Sequence, residues 1–176
     1  MGINITKDTF EFLYNNTYKN VLKYTICHCR NLDDVNDIVQ EIYTELYQKT
    51  VKNKHINLDN AESYIIGIAK NKIKKHYSSA KINYIESENE NLSQYSDIDI
   101  ERDLITKDNV MQVWNYLKNK SELTAKIFYL YYVIDVPIKE IAEELKLTES
   151  NVKNHLYRTQ KDLKEGFKKG ERQNVK

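Results

Sequence analysis

Val35, Ile38, Val39, Ile42, Tyr43, Leu46 and Tyr47 recur at steps of three and four residues. A helix turns about 100° per residue, so this spacing places all of them on one stripe, which must be covered by something apolar. Strand alternation would scatter them over both faces. The same rhythm appears at Phe10, Leu13, Tyr14, Tyr18, Val21, Leu22, Thr25 and Ile26, and again at Tyr64, Ile65, Ile68, Ala69 and Ile73. Later come Leu104, Val110, Val113, Trp114 and Leu117, then "LTAKIFYLYYVI" from about Ser121. The chain spends only 4 Gly and 1 Pro in 176 residues, too few for the tight turns of a sheet-rich fold, and an all-α fold is expected.

Between the periodic stretches, Asn31 and Leu32 break the first helix, and Asp33 or Asp34 can cap the second by accepting free amide hydrogens of its first turn. Residues 50–61, "TVKNKHINLDNA", read as a loop. Residues 78–103 are polar and acidic with no apolar stripe, so a boundary falls there. The expectation is two small helical domains, 1–80 and 106–170, joined by a flexible acidic linker over 81–105 and followed by a tail at 171–176.

The net charge of +1 conceals strong segregation. Residues 51–80 carry six Lys against two acids, 81–108 three bases against eight acids, and 150–176 eight Lys and Arg against three acids. Separate partners for separate segments follow. Cys27 and Cys29 lie too close on a helix to form an ordinary cross-link, which fits a reducing compartment. With no basic-then-apolar leader and no apolar run near the roughly 20 residues of a bilayer span, the expectation is a cytoplasmic chain without membrane insertion.

"PIKEIAEELKLTESNVKNHLYRTQKDL", residues 137–163, has the pattern of a helix-turn-helix. Pro137 suits a helix start, where its missing N–H costs nothing. Ile138, Ile141 and Leu145 line the inner face of the first helix, and Ala142 allows close approach of the second. Leu147 plugs the turn, Thr148 can cap the second helix, and Val152 and Leu156 anchor it. Lys146 stands where a glycine often eases the turn. In a DNA reader the second helix enters the major groove with its N-terminal half toward the base edges. Ser150, Asn151, Lys153, Asn154 and His155 are then the candidate contacts, with Arg158 and Lys161 nearer the backbone.

With these segments in order, the chain resembles an extracytoplasmic-function sigma factor of the sigma-70 family. "DDVNDIVQEIYTELYQ" looks like the polymerase-binding helix of region 2, "AESYIIGIAKNKIKKHY" like its −10 helix, and residues 123–163 like region 4. The resemblance implies that Asp37, Gln40 and Glu41, which match the motif, dock on the clamp helices of the RNA polymerase β′ subunit. It implies that Asn57, Asn60, Tyr64, Lys70, Asn71, Lys74 and Lys75 serve the −10 element. Asn71 matches a motif position, Lys70 replaces a usual Arg, Lys75 a common Asp and Tyr64 a common Trp. Region 4 would hold the −35 duplex through Ser150, Asn151, Lys153, Asn154, His155 and Arg158. The implied partners are core RNA polymerase and promoter DNA, with exposed docking faces that suit control by an anti-sigma factor.

Other classes fit less well. "CHC" at 27–29 attracts a metal or redox reading, but neighbouring residues on a helix diverge and His55, His76 and His155 form no second cluster. No nucleophile elbow, glycine-rich phosphate loop or acid pair appears, so neither an enzyme nor a cofactor is expected. A stand-alone helix-turn-helix regulator would need no acidic helix and usually a dimer, to match two half-sites. A helical adaptor would show no dependence on DNA.

Overall fold

The computed structural model describes residues 5–51, 60–78, 113, 116–117 and 119–173, with side chains placed at 8–51, 60–78, 113, 116–117 and 119–166. All regular elements among them are helical: α1 (Ile5–His28), a 3₁₀ turn (Leu32–Asp34), α2 (Val35–Val51), α3 (Ala61–Ser78), α4 (Glu122–Tyr132), α5 (Ile138–Leu145) and α6 (Glu149–Gln173). The chain divides into two compact units, residues 1–86 and 87–176. The expected linker, 81–105, lies outside the described residues. Among those described, no helix is long and apolar enough to cross a membrane.

In the first unit α1, α2 and α3 pack mutually. Val35, Ile38, Val39, Ile42, Tyr43 and Leu46 of α2 are buried against Leu13, Val21, Leu22 and Ile26 of α1 and Ile65, Ile68, Ala69 and Ile73 of α3. Each buried Val, Leu or Ile among them contributes roughly 1.5–3 kcal/mol on leaving water. Tyr47 departs from the expected stripe: it is 49% exposed and rests edge-on against Phe10, 5.3 Å between ring centroids. Tyr14, Tyr18 and Tyr43 continue this aromatic seam, with Tyr14 4.7 Å from Tyr43. The Tyr43 hydroxyl meets Thr17 Oγ1 at 3.0 Å, and burial pushes its phenol up to about 12.

The carboxylate of Asp34 faces across to the end of α3, where it accepts from the Tyr77 hydroxyl at 2.7 Å and lies 3.5 Å from His76 Nε2. Tyr77 in turn accepts from the Arg30 amide at 2.8 Å and lies under the Arg30 guanidinium. Thus the break between α1 and α2 is fastened to α3. At 27–29 the three side chains separate: Cys29 is buried, Cys27 half-buried, and the exposed His28 stacks on Tyr24 with Nδ1 2.8 Å from the Tyr24 carbonyl.

In the second unit Ser121 caps α4 by accepting from the Thr124 amide at 3.3 Å. Pro137 immediately precedes α5, and its carbonyl accepts the Ile141 amide at 3.0 Å. The α5 to α6 turn is made by Lys146, in the left-handed region at φ 57°, ψ 41°. The Leu147 amide donates to the Ala142 carbonyl at 2.8 Å and the Lys146 amide to Glu143 at 3.3 Å. This paired bonding satisfies the last carbonyls of a helix when one residue turns left-handed. Thr148 then caps α6, its Oγ1 accepting from the Asn151 amide at 3.1 Å. Ile141, Ala142, Val152, Leu156 and Leu163 form the buried seam of the pair, with Ile138 and Leu145 half-buried at its margin. Asp162 ties the far part of α6 to the segment before α4, accepting from the Tyr116 hydroxyl at 2.6 Å and from Lys120 Nζ at 3.2 Å.

The left-handed turn carries Cβ strain of about 1–2 kcal/mol in any residue but glycine. Lys146→Gly relieves it while enlarging the freedom of the unfolded chain, so a gain of up to about 1 kcal/mol is expected. Lys146→Val, β-branched at positive φ, should lose more than about 1 kcal/mol, and urea denaturation of the two variants measures the difference. Tyr116 foremost, with Lys120, holds the Asp162 carboxyl below its usual range. A depressed carboxyl stabilises above its unfolded pKa, and that stabilisation fades as pH falls through the folded value. Asp162→Asn should therefore flatten the loss of stability below about pH 4 seen in acid titration of the parent chain.

Candidate polymerase and nucleic-acid faces

Because α2 buries one stripe, the residues between its apolar positions face outward. Asp37, Gln40 and Glu41 are all exposed, at consecutive turns of the same face. They line a groove with Thr44, Glu45 and Gln48, closed by Lys49 and Lys72. The two lysines were not expected there. Lys49 Nζ lies 2.7 Å from Glu45 Oε1, and Lys72, from α3, lies 3.2 Å from Glu45 Oε2 and 3.5 Å from Glu41 Oε2. Lys49 first, then Lys72, holds the Glu45 carboxyl below its ordinary value, and Glu45 in return raises Lys49. The ridge is thus acidic at Asp37 and Glu41 and internally neutralised at Glu45. Such a surface attracts cationic side chains and repels phosphates. A signal for Lys72 was present in the sequence: it falls four residues after Ile68, on the flank of the buried stripe and beside α2.

The opposite edge of α3 has the other sign. Lys70, Asn71, Lys74 and Lys75 are exposed, and Tyr64, although spaced with the apolar residues, is 40% exposed on the same side. Asn60, just ahead of α3, is exposed, whereas Asn57 lies outside the described residues. Lysines beside an open aromatic ring suit a single strand, since cations follow the backbone and any base can stack on the ring. The Tyr64 ring receives Lys49 Nζ 5.3 Å from its centroid.

In the second unit the start of α6 presents Ser150, Asn151 and Lys153, each half-buried, followed by Arg158 and Lys161, both exposed. Asn154 is different. It is 0% exposed, so its amide belongs to the interior and is not available to a base edge. His155 is also drawn inward, its Nδ1 3.0 Å from Thr124 Oγ1 of α4. The physical reason is that α6 packs against both α4 and α5, so its buried sector is wider than the row Val152, Leu156, Leu163 suggests. Serine, asparagine, lysine and arginine at the open end of a groove-sized helix can donate to base edges and phosphates.

Residues 121–163 match the protein family described as Sigma-70, region 4. The matched span runs from the cap of α4 to the end of the buried seam on α6. No curated protein matches the chain.

Replacement of Lys153 or Arg158 by Ala should weaken duplex binding, and if each makes one phosphate contact the slope of log K against log salt should fall by about 0.9 per residue. Asn154→Ala should instead lower thermal stability, by about 1–3 kcal/mol for its unpaired neighbours, without altering that slope.

Proposed function

We propose that this chain, whose residues 121–163 match the family described as Sigma-70, region 4, is a promoter-specificity subunit of bacterial RNA polymerase of the extracytoplasmic-function type. The observation that carries the reading is the match over 121–163, laid on a helix-turn-helix whose second helix turns Ser150, Asn151, Lys153 and Arg158 outward. The match to Sigma-70, region 4 supports a role in promoter recognition. The finer assignments rest on charge and exposure.

Asp37, Gln40 and Glu41 dock on the clamp helices of β′, where their charge complements a basic partner. Tyr64, Lys70, Asn71, Lys74 and Lys75, with Asn60 and Asn57 from the preceding loop, take the melted −10 strand. An unstacked base needs a ring or pocket to receive it, and Tyr64 supplies a ring. Ser150, Asn151, Lys153 and Arg158 hold the −35 duplex, with His155 orienting the helix against Thr124. Neither DNA face is strong alone. Assembly on polymerase raises the effective concentration of each face at its own element, so the complex reads a promoter that the free chain binds weakly. The same exposed ridge is open to an anti-sigma factor. No catalytic group or cofactor enters this mechanism, and polymerase does the chemistry in the cytoplasm.

Run-off transcription with core polymerase on promoter-bearing fragments tests the reading. The parent chain should direct initiation from defined start sites, and Asp37→Lys with Glu41→Lys should abolish initiation and assembly while preserving the helical content seen by circular dichroism. Unchanged assembly by that double variant would refute the docking role.

A further inference from the structure

One continuous line of polar side chains crosses the first unit between its acidic and basic faces. Glu45 follows Glu41 by one turn of α2, and its half-buried carboxylate sits between two cations, Lys49 at 2.7 Å and Lys72 at 3.2 Å. Lys72 also reaches Glu41 of the acidic ridge at 3.5 Å. On the other side, Lys49 lies over the ring of Tyr64 at 5.3 Å, on the basic face. Glu41, Lys72, Glu45, Lys49 and Tyr64 are thus linked in sequence, each by a contact of opposite charge or of cation with ring.

An exposed ion pair contributes little by itself. Glu45 differs in serving two cations at once while partly withdrawn from water. Without its charge, Lys49 and Lys72 would face each other across the groove with no shared counter-ion and would move apart. The links are also competitive. A cation from outside that takes Glu41 leaves Lys72 with Glu45 alone, and a Glu45 more fully engaged by Lys72 holds Lys49 less tightly over Tyr64. Any such coupling is reciprocal between the two faces.

Resting on the reading of this chain as a polymerase-docking, promoter-opening subunit, we infer that Glu45 is a positioning residue: through Lys72 and Lys49 it ties the docking ridge of α2 to Tyr64 on the strand-capturing face of α3. Glu45 lies deeper in the groove than the docking residues Asp37, Gln40 and Glu41, half-buried where they are exposed, and acts through the two lysines. It sets where Tyr64 stands when polymerase occupies the ridge.

The test uses full-length chain with Glu45→Gln, reconstituted with core polymerase and compared on a duplex promoter and on the same promoter pre-melted across the −10 element. Expected are assembly within about twofold of the parent, initiation on the pre-melted template within about twofold, and a fall of roughly three- to tenfold on the duplex template, within the range of coupled neighbours. In a Tyr64→Leu background, Glu45→Gln should have no further effect on the duplex template. Equal losses on both templates together with a lower unfolding temperature would mark a packing role and overturn the inference, as would the same fold-loss with and without Tyr64. Should the Asp37→Lys, Glu41→Lys chain still assemble and initiate, the docking reading fails instead, whatever Glu45 does.

Discussion

The buried row of α2 is the constraint on which the first unit depends. Val35, Ile38, Val39, Ile42, Tyr43 and Leu46 must be covered, and α1 and α3 cover them. Once that face is committed inward, Asp37, Gln40 and Glu41 have nowhere to go but outward, and α3, held by Ile65, Ile68, Ala69 and Ile73, must send Lys70, Asn71, Lys74 and Lys75 the other way. One core therefore sorts the charges. An acidic ridge and a basic edge arise from the same packing decision, and neither can be rotated without exposing apolar surface at roughly 25 cal/mol per Å².

The second unit solves a different problem with a similar economy of means. Its helix pair is closed by a left-handed lysine, a paired bond to Ala142 and Glu143, and a threonine cap. These local devices set the turn without glycine. Because α6 meets both α4 and α5, the strip left open at its start is narrow, with Ser150, Asn151 and Lys153 half-buried and Arg158 and Lys161 exposed further along. That strip is what a major groove would receive. Tethering by Asp162 to Tyr116 and Lys120 keeps the later part of α6 in place, so the presented residues sit on a supported helix.

Much of the local structure was legible in the residues. The stripes of α1, α2 and α3, the break near Asn31, the helix starts at Ser121 and Pro137, the turn at Lys146 and the cap at Thr148 all follow from periodicity and short-range hydrogen bonding. The exposed positions Asp37, Gln40, Glu41, Lys70, Asn71, Lys74 and Lys75 follow too, because a residue opposite an apolar row faces away from it. At the margins the pattern was ambiguous. Tyr47 and Tyr64 keep step with apolar neighbours yet stand 49% and 40% exposed, since a tyrosine can cover an edge with its ring and leave its hydroxyl in water.

The sequence by itself determined where helices form and which residues share a face, because helical spacing and capping are short-range properties. Only the tertiary structure decided which faces acquire a second neighbour. Packing of α6 against both α4 and α5 buries Asn154 and draws His155 onto Thr124, and proximity of α3 to α2 turns Lys72 from the basic edge toward Glu41 and Glu45. These outcomes depend on contacts between residues far apart in the chain; a local period marks Lys72 as flanking a buried row but does not encode its partners.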